Sequence, residues 1–387
     1  MTASIIAESV SAIRGIQFWA VSFCRSTLSF YEAFANSLDV PFRVCVARSG
    51  LGARADIGFK QTEFDHIDLL ETVDMASAVK ALSERSEWLQ VFGTYQTTRH
   101  IRATMKVALK ADCLVGVASE APCNMEPPGH RRLAKAAYLR YVLPRRVAAV
   151  TSGARFILNW SGDDAASLVA LGWPPDKIMP VGYFPPPLLG SVFTMRDKSY
   201  LDDPVILCTG STTWHRGPDV LMKALGMLQA WGIRFRAAFT GSGPLDGQLR
   251  SLAADTGLDC VFLGSVPLPE LINLYQSCTL FVAPGRKEPW GMRVNDALNC
   301  GAPSIVSRGM GASKLVLEHG LGSTFRAGES VDLAWQIRAL LEDPARYQKV
   351  CDNSEQSHTA ILPNAAAQRL ATRLRSEFPE WQAGIKL

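Results

Sequence analysis

The sequence is poor in the patterns that metal, redox and nucleophile chemistries usually require. Nine cysteines are scattered singly, with no C-x-x-C pair. That spacing argues against structural zinc and against a disulfide framework, and it reads as reduced thiols in a cytosolic protein. There is no Asp-x-Asp pair, G-x-S-x-G elbow, Walker loop or clustered His/Cys set. Metal-diphosphate, serine-nucleophile and P-loop chemistries therefore lack their usual residues, and no metal or cofactor is expected. No apolar run approaches the ~20 residues that span a bilayer. The first residues include Glu8 and no basic start followed by a long apolar core, which does not fit a secretory signal. The formal net charge is only +4, too small an excess to argue for nucleic acid. Low-complexity segments and internal repeats are likewise absent.

What is there is ordinary globular composition, 48% hydrophobic and 20% charged over 387 residues. That length favours two domains over one core. Strand-like apolar runs alternate with helical stretches, which argues α/β with mainly parallel sheets. In the first half, 16–23, 42–48, 88–94 and 113–119 read as strands, with helices over 27–38, 72–84 and 97–111. A helix over 131–146 follows, then 148–153 as a strand running into a turn. The pattern restarts with strands at 204–210, 235–243, 260–266, 278–285 and 302–307, and helices between and after them. Three consecutive prolines in 182–191 forbid regular structure, so the boundary falls there, giving domains 1–187 and 188–363.

The densest information lies in EPWGMRVNDALNCGAPSIVS, residues 288–307. Pro289 and Gly291 force a bend. Met292 to Asn299 then reads as a helix, with Gly301 just past its end. Asp296 sits about one turn in, roughly 6 Å along the axis from Met292, while Glu288 lies on the preceding loop. Between the two acids are the unpaired N–H groups of a helix N-terminus, which favour phosphate. A nucleotide sugar, hydroxylated at both ends around a diphosphate, has the matching layout.

Glu-Pro-Trp-Gly, Asp296-Ala297 eight positions on, and Cys-Gly-Ala-Pro at 300–303 resemble the Glu-x7-Glu signature of family 4 glycosyltransferases, with Asp in place of the second Glu. The resemblance implies the GT-B fold, two Rossmann-like domains facing across a cleft, and retaining transfer. It covers the second half almost end to end and the first half in outline, mostly over 92–184. It further implies that the last helix, within 364–387, crosses back to the first domain. Glu288 would bind hydroxyls of the transferred sugar and Asp296 the ribose. Gly291 and Met292 would offer backbone N–H groups. Arg216 falls on the Lys of the family's diphosphate clamp. The clamp's Arg position falls on Ser211, which carries no charge; Arg286, Lys287 and Arg293 are candidates to replace it. Gly241 would bring backbone near the nucleotide, and Gly264 and Val266 match the loop that meets the base. Gly153 matches a structural glycine on the strand before the hinge.

In the first half, Gly93 and Thr94 follow one strand and Ser119-Glu120 the next, at the edge where α/β sheets bind ligands. They are candidates for the acceptor, with Glu120 as a possible base. Residues 130–147 hold basic side chains and no acids among Leu133, Tyr138, Leu139, Tyr141 and Leu143. Such a helix either lies on an anionic bilayer or packs on its sheet. The expectation is a metal-independent enzyme, cytoplasmic and associated with the inner membrane face. It would transfer a sugar from a UDP- or GDP-sugar to a glycan or lipid-linked acceptor in bacterial exopolysaccharide, capsule or lipopolysaccharide assembly. The alternative is a degenerate GT-B protein that binds nucleotide or glycan without turnover.

Overall fold

The computed structural model describes residues 13–21, 25–47, 66–93, 99–162, 164–188 and 191–379. Two parallel sheets organise it. The first has the order β3-β2-β1-β4-β5-β6-β7, from β1 (Ile16–Ala20), β2 (Phe42–Val46), β3 (Leu69–Glu71), β4 (Leu89–Gly93), β5 (Val115–Ser119), β6 (Phe156–Asn159) and β7 (Ile178–Pro180). The second has the order β10-β9-β8-β11-β12-β13, from β8 (Val205–Cys208), β9 (Arg236–Thr240), β10 (Cys260–Gly264), β11 (Leu280–Ala283), β12 (Ser304–Ser307) and β13 (Gly322–Phe325).

These strands are continuous apolar runs because both faces are covered. Phe18 pairs in register with Val44 and Val91 on one face, and Trp19 with Cys45 and Phe92 on the other. All six are buried, in two separate cores. In each sheet the chain order reverses, between β1 and β4 and between β8 and β11. At such a reversal the helices leave to opposite faces and open a crevice at the carboxyl ends of the strands.

The helix Pro363–Glu377 lies against Arg25–Leu38 of the first half. Arg375 donates to the Ser37 carbonyl at 2.8 Å, and Phe378 meets Phe156. The halves also meet at the linker after β7. The Trp290 indole, 2% exposed, packs on Phe184 and fills the space where Gly162 and Gly182 lack a Cβ. Its Nε1 donates to Asn295 at 2.8 Å, and Asn295 donates to the Tyr183 carbonyl at 3.0 Å.

Three local expectations need correction. Residues 148–153 are not a strand; they end the helix Leu143–Gly153, because Val147, Val150 and Thr151 recur at helical spacing and bury one face. Gly153 therefore closes a helix, and the strand is β6, three residues later. The predicted helix over 131–146 is split by a π turn, Tyr138–Val142. Pro144 has no N–H to donate, and Leu143 N–H reaches back five residues to the Tyr138 carbonyl. Only the second part packs on the sheet. The helix His130–Ala137 buries no side chain, and Leu133, Tyr138, Tyr141 and Val142 are exposed. No described helix is long and apolar enough to cross a membrane.

Candidate active site

The second sheet's reversal puts the ends of β8 and β11 side by side, and the residues after them build the site. After β8 the chain turns through Gly210 (φ +102°) to Ser211. It then forms the short helix Trp214–Arg216, ended by Gly217 at φ +67°. A Cβ at Gly217 would strike the Pro284 carbonyl beyond β11, so glycine is what lets the two segments touch. Beside them Gly241 (φ +86°) donates its N–H to the Gly264 carbonyl at 2.6 Å.

After β11, Glu288 bridges to Met310, and its N–H donates to the Gly309 carbonyl at 3.0 Å. This short pairing fixes the loop, and Gly291 (φ +101°) then starts the helix Met292–Asn299. The Glu288 side chain is 13% exposed between two guanidiniums. Arg293 Nη2 lies 3.1 Å from Oε2, and Arg216 Nη2 lies 4.0 Å from Oε1. Burial, then the Arg293 charge, lower the Arg216 pKa below the usual arginine value, with Glu288 opposing. Burial and the Arg216 charge likewise lower the pKa of His215. The corner thus has more positive than negative charge.

The other cations of the signature are committed elsewhere. Arg286 pairs bidentately with Asp219 at 2.7 and 2.6 Å and stacks on Trp214. Lys287 is half exposed, 3.9 Å from Asp164. Ser211 is half-buried on the loop after β8. Asp296 is half-buried on the second turn of its helix, close enough to the buried Tyr275 for its charge to act there. Tyr275 hydroxyl bonds Thr209 at 2.8 Å. Met292 opens the same helix, Gly264 ends the edge strand β10, and Val266 follows it.

Across the cleft, Glu120 follows β5. The residue as a whole is exposed, yet its carboxyl has protein around it, and this desolvation raises its pKa. A hydrogen bond from Tyr183 opposes the rise, and the charge of Glu288 adds to it. The two acids are therefore near enough to feel each other. Gly93 ends β4, where a Cβ would sit 3.0 Å from the Trp19 carbonyl. Thr94 lies outside the described residues. Tyr183 and Trp290 were not identified from the sequence as site residues. Their partners are distant in the chain, and only a Gly-Tyr-Phe linker and a Trp inside the signature hinted at them. Among the described residues, no group of three or more His, Cys, Asp or Glu side chains could hold a metal ion.

Two Rossmann-like parallel sheets with facing crevices and a C-terminal helix that returns to the first half define the GT-B architecture. Solved structures agree over nearly the whole chain. The apo lipopolysaccharide outer core galactosyltransferase WaaB superposes with a TM-score of 0.66 at 14% identity, covering 94% of this chain and 99% of that one. Anabaena HepE in complex with UDP and glucose gives 0.62 at 16%, covering 94% and 100%. Residues 194–357 match the family described as Glycosyl transferases group 1, in agreement with the resemblance seen in the signature. D-inositol 3-phosphate glycosyltransferase 1 from Catenulispora acidiphila is 32% identical over 184 residues, 44% of this chain and 44% of that protein. The chain spans less than half the length of that curated relative and of two similar ones, at 39% and 49%.

Proposed function

We propose that the protein is a retaining glycosyltransferase that moves a sugar from a UDP- or GDP-sugar to a hydroxyl of a glycan or lipid-linked acceptor. The observation that carries this reading is Glu288. It is an acid held between two guanidiniums, beside a helix N-terminus, at the reversal point of the second sheet. The guanidiniums and N–H groups suit a diphosphate, and the acid suits sugar hydroxyls. Asp296 would take the ribose hydroxyls, with Gly291, Met292, Gly241, Gly264 and Val266 supplying backbone around the nucleotide. In the transfer, the bond from sugar C1 to the diphosphate oxygen breaks and that oxygen keeps the electron pair. The acceptor oxygen bonds C1 from the same face, and its proton passes to the departing phosphate or to Glu120. The positive corner stabilises the leaving charge without a metal ion. Closure of the two halves would exclude water.

HepE is described with UDP and glucose and WaaB as acting on lipopolysaccharide outer core; together with the fold they support a role in bacterial surface-polysaccharide assembly. A lipid-linked acceptor also gives the exposed helix His130–Ala137 a partner, the anionic inner face of the plasma membrane. Flotation with anionic liposomes at low salt should carry the protein upward; no flotation removes the membrane contact. The decisive test of the activity is Glu288→Gln assayed with UDP- and GDP-sugars. The rate should fall about a hundredfold or more while nucleoside diphosphate still binds. Full activity in that variant would sink the assignment. Tight donor binding by the wild type with neither transfer nor hydrolysis would instead favour the non-catalytic reading that uncharged Ser211 suggests.

A further inference from the structure

The corner beneath Glu288 holds two guanidiniums for one carboxylate, and Arg293 is the less satisfied of the two. It is 8% exposed. Its Nη2 holds Glu288 at 3.1 Å and touches Met310 Sδ at 3.9 Å. Its Nε and Nη1 are sealed from solvent and have no hydrogen-bond partner among the described residues; Arg216 Nε is in the same state. Buried guanidinium N–H groups without acceptors are costly, and the two like charges add to the cost.

The unpaired Arg293 Nη1 and the Nη1 of Arg216 meet at one place. Gly210 has no side chain, and a Cβ built there would lie 2.5 Å from Arg216 Nη1 and 3.6 Å from Arg293 Nη1. Both Nη1 atoms therefore gather over bare backbone, in the crevice at the end of β8. We propose that Arg293 is the second cation of the diphosphate-binding corner, reaching from the helix Met292–Asn299 to the place where Ser211 offers no charge. The inference rests on the nucleotide-sugar reading and adds to it the residue that completes the charge. Because Nη2 alone holds Glu288, a side-chain shift that uncovers Nη1 would let it donate to a phosphate oxygen while the ion pair stays intact. One residue then ties the acid that binds the sugar to the charge that leaves it. Arg216, whose side chain is 31% exposed against 7% for Arg293, meets the arriving anion first.

The test is calorimetry with UDP and GDP, and with UMP and GMP as shorter probes, on five proteins: wild type, Arg293→Met, Glu288→Gln, the double variant of these two, and Arg293→Met carrying Ser211→Arg. Arg293→Met should bind the preferred nucleoside diphosphate at least tenfold more weakly, with a smaller loss for the monophosphate. A residue that merely holds Glu288 would lose its effect once Glu288 is Gln. On this proposal the tenfold loss persists in that background, and adding Ser211→Arg to Arg293→Met restores part of the affinity. Unchanged affinity in Arg293→Met, or a loss that vanishes beside Glu288→Gln, overturns it. If Arg293→Met does not fold, Arg293→Lys takes its place. It keeps the charge but not the forked geometry, and a three- to tenfold loss is then expected and an unchanged affinity again overturns the proposal. Failure of the wild type to bind either diphosphate is a separate result, which removes the nucleotide-sugar reading itself.

Discussion

Around its crevice the second sheet carries glycine at positions 210, 241 and 264, each with positive φ, and the charged side chains packed together there are Arg216, Arg293 and Glu288. At the corresponding edge the first sheet carries Ser119 and Glu120, with the ring of Tyr183 beside them and Trp160 stacked on it at 5.3 Å. The second region lets backbone and positive charge come close to a ligand. The first offers a rigid aromatic wall and a carboxyl with a raised pKa. A diphosphate needs the former, since N–H groups must approach within hydrogen-bond distance. An acceptor hydroxyl needs the latter, a surface to lie on and a group to take its proton. On the proposed function, the same doubly wound topology would serve two ligands by changing what stands at its strand ends.

The sharpest way to break this division is a crossed pair of substitutions. Arg216→Met should weaken UDP or GDP binding about ten- to a hundredfold, whereas Glu120→Gln should leave that affinity unchanged and lower only the acceptor-dependent rate; calorimetry beside a transfer assay reads both. Equal effects of the two on nucleotide affinity would erase the distinction between the halves. A smaller effect tests how the halves are joined. A Cβ at Gly182 (φ +85°) would run into the Trp290 ring, so Gly182→Ala should cost about 3 kcal/mol in chemical unfolding. Gly226→Ala is the contrast. It lies inside the helix Pro218–Ala230 with nothing within 4 Å of a new Cβ, and should stabilise by about 0.5–1 kcal/mol. The smallest effect concerns Glu120 alone. The Tyr183 hydrogen bond favours its charged form, so Tyr183→Phe should raise its pKa further. If Glu120 acts as a base, the acid limb of the kcat/KM profile then moves to higher pH; a shift to lower pH would contradict that geometry.

The second half was legible because its information is local. The turn glycines, the helix Met292–Asn299 and Gly301 after it follow from the order of residues around Glu288. The first half was less so. Residues 148–153 include β-branched side chains that suit a strand, and only their contacts with the sheet show that Val147, Val150 and Thr151 share a helix face. In that half the short strands β3 and β6 carry too few residues to set a period. Arg286, Lys287 and Arg293 looked alike in sequence. Their difference is tertiary: Asp219, 67 positions away, claims the first, the second stands half exposed near Asp164, and the third is buried against Glu288. Trp290 was read as one letter of a motif, since nothing nearby announces that its ring rests on residues more than a hundred positions earlier.

The seat of that indole sets a condition on exchanging parts between proteins of this architecture. The ring occupies volume left by two missing methyl groups in the first half, at Gly162 and Gly182, and by a third at Gly311 in its own half. A grafted first half with a different acceptor surface would have to bring both vacancies with it. With ordinary residues there it would stand off from the ring, and the loop bearing Glu288 would shift with Trp290. Compatibility between such modules would then be decided by three side chains that are not there.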